Sequence, residues 1–418
     1  MASKKKLAAA LTCSAALMAA CGSGSSGSLV ATAPAPSPTP SPTPTPATTV
    51  AVIAPSEGGY VISPSLDGAP SLVADFPVEQ GLVPSWGNGQ IPGQYGGGEG
   101  AFRFICGAEG PLRYDDPLVK FGQVSASHLH QFWGPTTIDA NTTMGTLAGS
   151  IGSSTCNYGS KTLNRSAYWM PAMLDKNGYV RNADWIAVYY KRPMASSNRC
   201  NPNSSTFQGQ CIGLPNQIRF VFGWDQSRPD EPAPGVNWSC SGGTGGHFRN
   251  LDEVFQTGCK AGDTLIADLM APDCWDGKYL DTPDHRAHLA YPSYGSWGYL
   301  KCPATHPYLI PQNESKVAWT VTGDMYETVS GVVRSRIRLA SDHMKAGAKP
   351  GETLHSDYME QWVEAAKKMW EDNCIDKGLD CSGGDLGNGL QLAGAAQPAY
   401  GWTNPNPRSA STMPDMFH

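Results

Sequence analysis

The sequence predicts a mainly β fold: one large β-sandwich or jelly-roll-like domain, stapled by disulfides and carrying one late amphipathic helix. Three observations lead there. Forty-seven glycines and 34 prolines in 418 residues call for short elements joined by many turns. Short stretches of alternating polar and apolar residues recur along the chain, with the side-chain period of two that a half-buried strand shows. Of the 12 cysteines, only Cys13 and Cys21 fall in the N-terminal segment; the even remainder suits complete pairing in an oxidising compartment.

In chain order, residues 1–20 read as an export signal. Lys4, Lys5 and Lys6 form the positive start, and Leu7 to Ala20 an apolar run too short to span a bilayer. Leu17-Met18-Ala19-Ala20-Cys21-Gly22-Ser23 resembles the cleavage site of a bacterial lipoprotein signal. That resemblance implies that Cys21 becomes the first mature residue and carries the lipid. Residues 21–50 pass from Ser/Gly into a Pro/Thr repeat, where alternating proline favours extended polyproline II, so the segment is expected to act as a tether. Residues 51–100 are a Gly/Pro-rich lead-in that ends in the loop Gly93 to Gly100. The main β-rich domain is expected over 101–395 and a tail over 396–418, which sets His418 aside as a site residue.

Within the main domain, strands are expected at Ala101 to Cys106, Tyr168 to Leu174, Trp185 to Tyr190, Gln217 to Trp224, Thr264 to Leu269, Lys316 to Thr322 and Val332 to Leu339. Asp175-Lys176-Asn177-Gly178 marks a turn between the second and third. Arg334, Arg336 and Arg338 make one face of the last strand basic, and a solvated face is the reading preferred for it. Asp357 to Asp372 places Tyr358, Trp362, Ala365, Ala366, Met369 and Trp370 at helical spacing, which predicts the late helix. Cysteines adjacent in sequence give short loops, Cys200 with Cys211, Cys240 with Cys259, Cys274 with Cys302 and Cys374 with Cys381; connectivity itself stays open.

Chemistry concentrates in three places. Cys274 to Pro292 holds Asp276, Asp281, Asp284, His285 and His288 in a chain that is only 16% charged. If Asp284 to His288 is helical, with Pro283 in its first turn, His285 and His288 share one side. Ser127-His128-Leu129-His130-Gln131-Phe132 puts His128 and His130 on one face of an extended segment, about 7 Å apart. His355-Ser356-Asp357 precedes the expected helix, where Ser356 or Asp357 can serve as N-cap and His355 as acid or base. The candidate catalytic residues are therefore His128, His130, Asp276, Asp284, His285, His288, His355 and Asp357. Trp133, Trp169, Trp275 and Tyr291 are the candidate sugar platforms.

Several classes are excluded or disfavoured. A net charge of -6 gives no support to nucleic-acid binding. There is no His-Glu-x-x-His, no Cys-x-x-Cys and no Gly-x-Ser-x-Gly. The residues commit to no cofactor, although four histidines at these spacings leave a divalent metal open, with Asp276 or Asp284 as carboxylate partner.

The order of these motifs resembles the secreted family catalogued as domain of unknown function 1996. The matching pieces are Ser127 to Phe132, Tyr168-Trp169-Met170-Pro171, Tyr189-Tyr190-Lys191, Cys274-Trp275-Asp276-Gly277, Asp284-His285-x-x-His288-x-x-Tyr291-Pro292, Cys302-Pro303-x-x-His306-Pro307 and His355-x-Asp357. The resemblance implies an extracellular domain, joined in fungal members to carbohydrate-binding modules, and no settled reaction. The leading expectation is an exported protein, lipid-anchored at the cell envelope or extracellular, that cleaves polysaccharide as a glycoside hydrolase or polysaccharide lyase. Its alternatives are a non-catalytic protein binding glycan or cell wall, and a metal-dependent hydrolase. Membrane contact is expected through the lipid anchor only.

Overall fold

Two sheets pack face to face in the computed structural model, which describes residues 50–85, 98–107, 110–152, 154–157, 161–294 and 299–394. The expected signal peptide, Cys21, the tether to residue 49 and the tail from 396 lie outside the described residues. The larger sheet has six strands in the order Val236–Cys240, Thr264–Met270, Gln312–Thr320, Trp185–Pro193, Glu99–Gly107 and Asp380–Cys381. Only the last pair is parallel. The smaller sheet is antiparallel throughout, in the order Arg219–Gly223, His355–Met359, Ala167–Pro171, His130–Trp133 and Leu112–Arg113. The fold is mainly β, as alternation and turn content predict.

The inner faces meet through aromatic side chains. Phe102 and Phe104 from the large sheet pack against Tyr190, Trp362 and Trp370, and Phe104 also meets Tyr168 of the small sheet. Such depth would strand the tyrosine hydroxyls, so they bond to one another: Tyr190 Oη lies 2.7 Å from Tyr168 Oη and 2.9 Å from Tyr358 Oη. This chain of hydroxyls ties the sheets together across the core.

Strand pairing consumes part of the expected helix. His355–Met359 is hydrogen-bonded on both edges, to Arg219–Gly223 and Ala167–Pro171, so turning it into helix would forfeit two ladders. The helix runs only over Glu364–Trp370 and continues as a π-turn over Glu371–Ile375. Its N-cap is Val363, and neither Ser356 nor Asp357 caps it. The 51–100 lead-in is also closer to the core than its composition implies. Val61–Ile62 pairs with Tyr279–Asp281, and Ala69, Leu72, Phe76 and Leu82 join the main core. The expected basic strand splits into Val332–Ser335 and Arg338–Leu339; Arg334 is exposed against Asp252, whereas Arg336 and Arg338 are half-buried.

Five disulfides join Cys106 to Cys156, Cys200 to Cys211, Cys240 to Cys259, Cys274 to Cys302 and Cys374 to Cys381. Four are the short closures that sequence order suggests. Beside Cys274, burial pushes the Asp273 carboxyl up to about 7. A folded value above the ordinary 3.8 means that Asp273 contributes its stability below about pH 4 and loses it as pH rises through 7. Asp273→Asn is therefore expected to melt a few degrees above the parent at pH 8, with the gap narrowing at pH 5 and closing below about pH 4. Equal melting temperatures at pH 8 would contradict the assignment.

Candidate active site

The small sheet places the chemistry on its outer face. Along His355–Met359 the period of two sends Tyr358 into the core and leaves His355 and Asp357 on the other side. The register sets Val221 and Trp169 beside Asp357, and Phe132 beside Trp169. His130, two residues before Phe132, shares that face, and the turn before it brings in His128. Against this face opens a cavity of about 920 Å³, walled by the segments around Asp116, His128, Trp224, His285 and His343.

Three histidines converge beside it: His128 and His355 line the cavity, and His130 is buried against them. The ring centroid of His128 lies 4.1 Å from that of His130 and 5.1 Å from that of His355. His130 Nδ1 is 2.9 Å from the Asp115 carbonyl and His355 Nδ1 is 2.8 Å from the Thr353 carbonyl. A carbonyl only accepts, so both rings carry their proton on Nδ1 and turn a lone pair outward from Nε2. Burial, the largest cause, holds His130 at about 4 and His355 at about 3 and takes His128 well below its usual value; their mutual repulsion adds to this for His128 and His355. All three are neutral imidazoles in ordinary buffer.

Carboxyl groups line the same cavity. Asp357 is buried with Oδ2 unpartnered, and burial followed by repulsion from Asp116 raises it well above the carboxylate range. Asp116 accepts the Leu118 and Val119 N–H groups on Oδ1, both at 2.9 Å. Burial outweighs those bonds and the pull of His355 and His285, so Asp116 too is raised. Both carboxyls favour the protonated, donating form more than a surface acid does.

The Cys274 to Pro292 stretch supplies one wall through His285. Its Nδ1 is 2.7 Å from Asp281 Oδ1, and buried Asp281 is itself held by Arg219 Nε at 2.8 Å and the Thr282 N–H at 2.9 Å. Nε2 is left as the free ring nitrogen. The backbone at His285 is left-handed, with φ 55°, which no helix allows, so the helical alternative for Asp284 to His288 does not form. Strain of this kind concentrates at functional positions. Arg286 completes the wall by donating to the Gly223 and Trp224 carbonyls.

The remaining candidates separate. Asp284 lines the cleft, but its Oδ1 accepts from Thr282 Oγ1 and from the Arg286 and Ala287 N–H groups. Burial raises its pKa, and those bonds more than reverse this, leaving it lowered and suited to fixing the turn. His288 is fully buried beneath the loop against Thr282 Oγ1 and does not reach the cavity. Asp276 caps the Lys278 and Tyr279 N–H groups away from it. Trp133, Trp169 and Trp275 are fully buried, so no ring face remains to stack on a sugar. Tyr291 lines the cleft with its hydroxyl donated inward to Met270 O at 2.8 Å.

Four contributors are absent from the candidate site residues: Asp116, Trp224, Asp281 and Arg286. Trp224 lines the cavity with its ring 6.1 Å from that of His355. The acidic pair Asp115-Asp116 before Pro117 was the available signal for the first. Asp281 and Arg286 stand inside the dense stretch, but only contact distances tell an orienting carboxylate from a turn residue.

The model of the family described as domain of unknown function (DUF1996) matches residues 116–362. The chain belongs to this family. The match begins at Asp116 and includes the three histidines, Asp281, His285 and Asp357, so every group that meets in the cleft falls within the DUF1996 region. No curated protein and no solved structure matches the chain.

Proposed function

We propose that the cleft is the active site of an extracellular polysaccharide-cleaving hydrolase, tethered to the cell envelope through lipidated Cys21. The observation that carries this reading is the pairing across one opening of a base and an acid: His285, oriented by buried Asp281, and Asp116, a carboxyl whose burial shifts it toward the protonated form. Separated environments of this kind assign proton acceptor and donor. His285 Nε2 takes a proton from water, the water oxygen attacks the anomeric carbon, and the bond to the leaving oxygen breaks as Asp116 protonates it. The open cavity of about 920 Å³ suits a polymer segment, and Tyr291 in its wall supplies apolar lining of the kind that sugar rings favour.

Five disulfides suit the oxidising side of a membrane. The test is incubation of the purified protein with a panel of cell-wall and plant polysaccharides, read as new reducing ends. Reducing ends from at least one polymer are expected. Binding without products across the panel would leave a glycan-binding protein instead.

A further inference from the structure

We propose that His128, His130 and His355 hold one first-row divalent cation of the zinc class, with its open coordination position facing the cleft. One ligand nitrogen from each histidine lies within 4.8 Å of the other two. Metal–nitrogen bonds of about 2.0–2.1 Å in a tetrahedral site bring such atoms to roughly 3.4 Å, which small ring rotations achieve. The cluster is assembled from the turn before His130–Trp133, from that strand, and from His355–Met359, so it belongs to the sheet scaffold. Rigid elements of this kind hold ligand geometry better than loops do.

The hydrogen bonding is what a ligand set requires. His130 and His355 each spend Nδ1 on a backbone carbonyl, the arrangement that fixes tautomer and ring direction in metal sites. What remains has no partner: His130 Nε2 and both ring nitrogens of His128 are buried without a hydrogen bond. Structural histidines in a core are ordinarily satisfied, and orphaned nitrogens in contact with one another make a costly arrangement unless something electrophilic sits among them. Asp357 Oδ2, on the same strand and face as His355, is likewise buried and unpartnered.

Donor chemistry narrows the occupant. Three imidazoles and no thiolate favour zinc, copper, nickel or cobalt over magnesium or calcium, which seek oxygen. Three protein ligands with one position left open is the composition of a catalytic zinc site, whereas structural sites close with four. His128 and His355 both line the cavity, so a cation here meets whatever enters it. The other cluster of potential ligands among the described residues, Cys240, Cys259 and Asp263, is unsuited because its two sulfurs are joined in a disulfide.

The inference goes beyond the acid–base reading of the cleft, because cation retention is measured without any substrate. Full-length protein, stripped with chelator and titrated with cobalt(II), is expected to bind one equivalent, to show the visible bands of a tetrahedral site, and to melt at higher temperature when zinc replaces cobalt. His128→Ala and His130→Ala should abolish the bands, while His285→Ala keeps them. Because the ring of His130 is fully buried and its loss also opens a hole in the sheet packing, X-ray absorption of the zinc-loaded parent gives a second reading, with three imidazole nitrogens at about 2.0 Å expected. Absence of a titratable equivalent in the parent, bands that persist in folded His128→Ala, or a zinc shell lacking imidazole would overturn the proposal. Cation binding without glycan cleavage supports it and counts against the hydrolase reading. Glycan cleavage by protein that binds no cation does the reverse.

Discussion

His285→Ala is expected to lower kcat/KM for glycan cleavage by about 10²–10⁴-fold, the range lost with a positioned general base. The loss should sit in kcat, because the Nε2 lone pair acts on water and contributes little to holding a sugar. Stability should change by only about 1.5–3 kcal/mol, the worth of one hydrogen bond to a charged group. Asp281 keeps its bonds to Arg219 and the Thr282 N–H whether or not the imidazole is present. His285→Asn is the sharper variant: asparagine tolerates the left-handed backbone at φ 55°, so the loop persists without the base. Steady-state kinetics beside thermal melts of both variants make the check, and turnover within about threefold of the parent would remove His285 from the chemistry.

The second large effect is on stability. Lys367 is buried, and its Nζ lies 3.0 Å from the Leu214 carbonyl, 3.3 Å from Glu364 and 3.8 Å from Glu360, with Asn216 Oδ1 also bonded. Glu360 is equally buried and accepts the Gln217 and Trp362 N–H groups. Lys367→Met keeps the packing stem but leaves Glu360 as an uncompensated buried acid, which is expected to cost about 3–5 kcal/mol. Denaturant unfolding with the disulfides intact measures it. A loss below about 1 kcal/mol would show that Glu360 is protonated and never needed the cation. Lys367→Met with Glu360→Gln should recover part of the loss, since the neutral amide retains an acceptor for the same N–H groups.

Strands were the most legible part of the fold. Trp185 to Tyr190 alternates because one face meets the core through Ile186, Val188 and Tyr190, and the alternation survives into a nine-residue strand, Trp185–Pro193. The late helix shows where local pattern fails. Tyr358 and Trp362 stand four apart, as on a helix, but two sheet ladders claim His355–Met359, and spacing cannot reveal a partner strand far away in sequence.

The site was legible as a set of segments and obscure in its internal roles. His128, His285, His355 and Asp357 line one cleft, brought together from three distant stretches, and His130 packs against His128 and His355. The tryptophans were misread because sequence does not distinguish an aromatic that stacks on a sugar from one that fills a core; all three fill the interior. Asp276 and Asp284 pose a related difficulty. A carboxylate that closes a turn and one that transfers a proton occupy the same kind of Asp/Gly/Pro-rich sequence, and only their hydrogen bonds separate them.

The central claim is that proton transfer belongs to the cleft and not to the acidic loop at large, and one comparison tests it directly. Asp116→Asn preserves an acceptor for the Leu118 and Val119 N–H groups, so the turn is kept while the transferable proton is lost. Asp276→Asn likewise keeps the cap on Lys278 and Tyr279, outside the cavity. The measurement is kcat/KM of the two variants on the same polysaccharide. A fall of about 10²-fold or more for Asp116→Asn, with Asp276→Asn near the parent, is the predicted result; full activity in Asp116→Asn, or an equal fall in both, would contradict it.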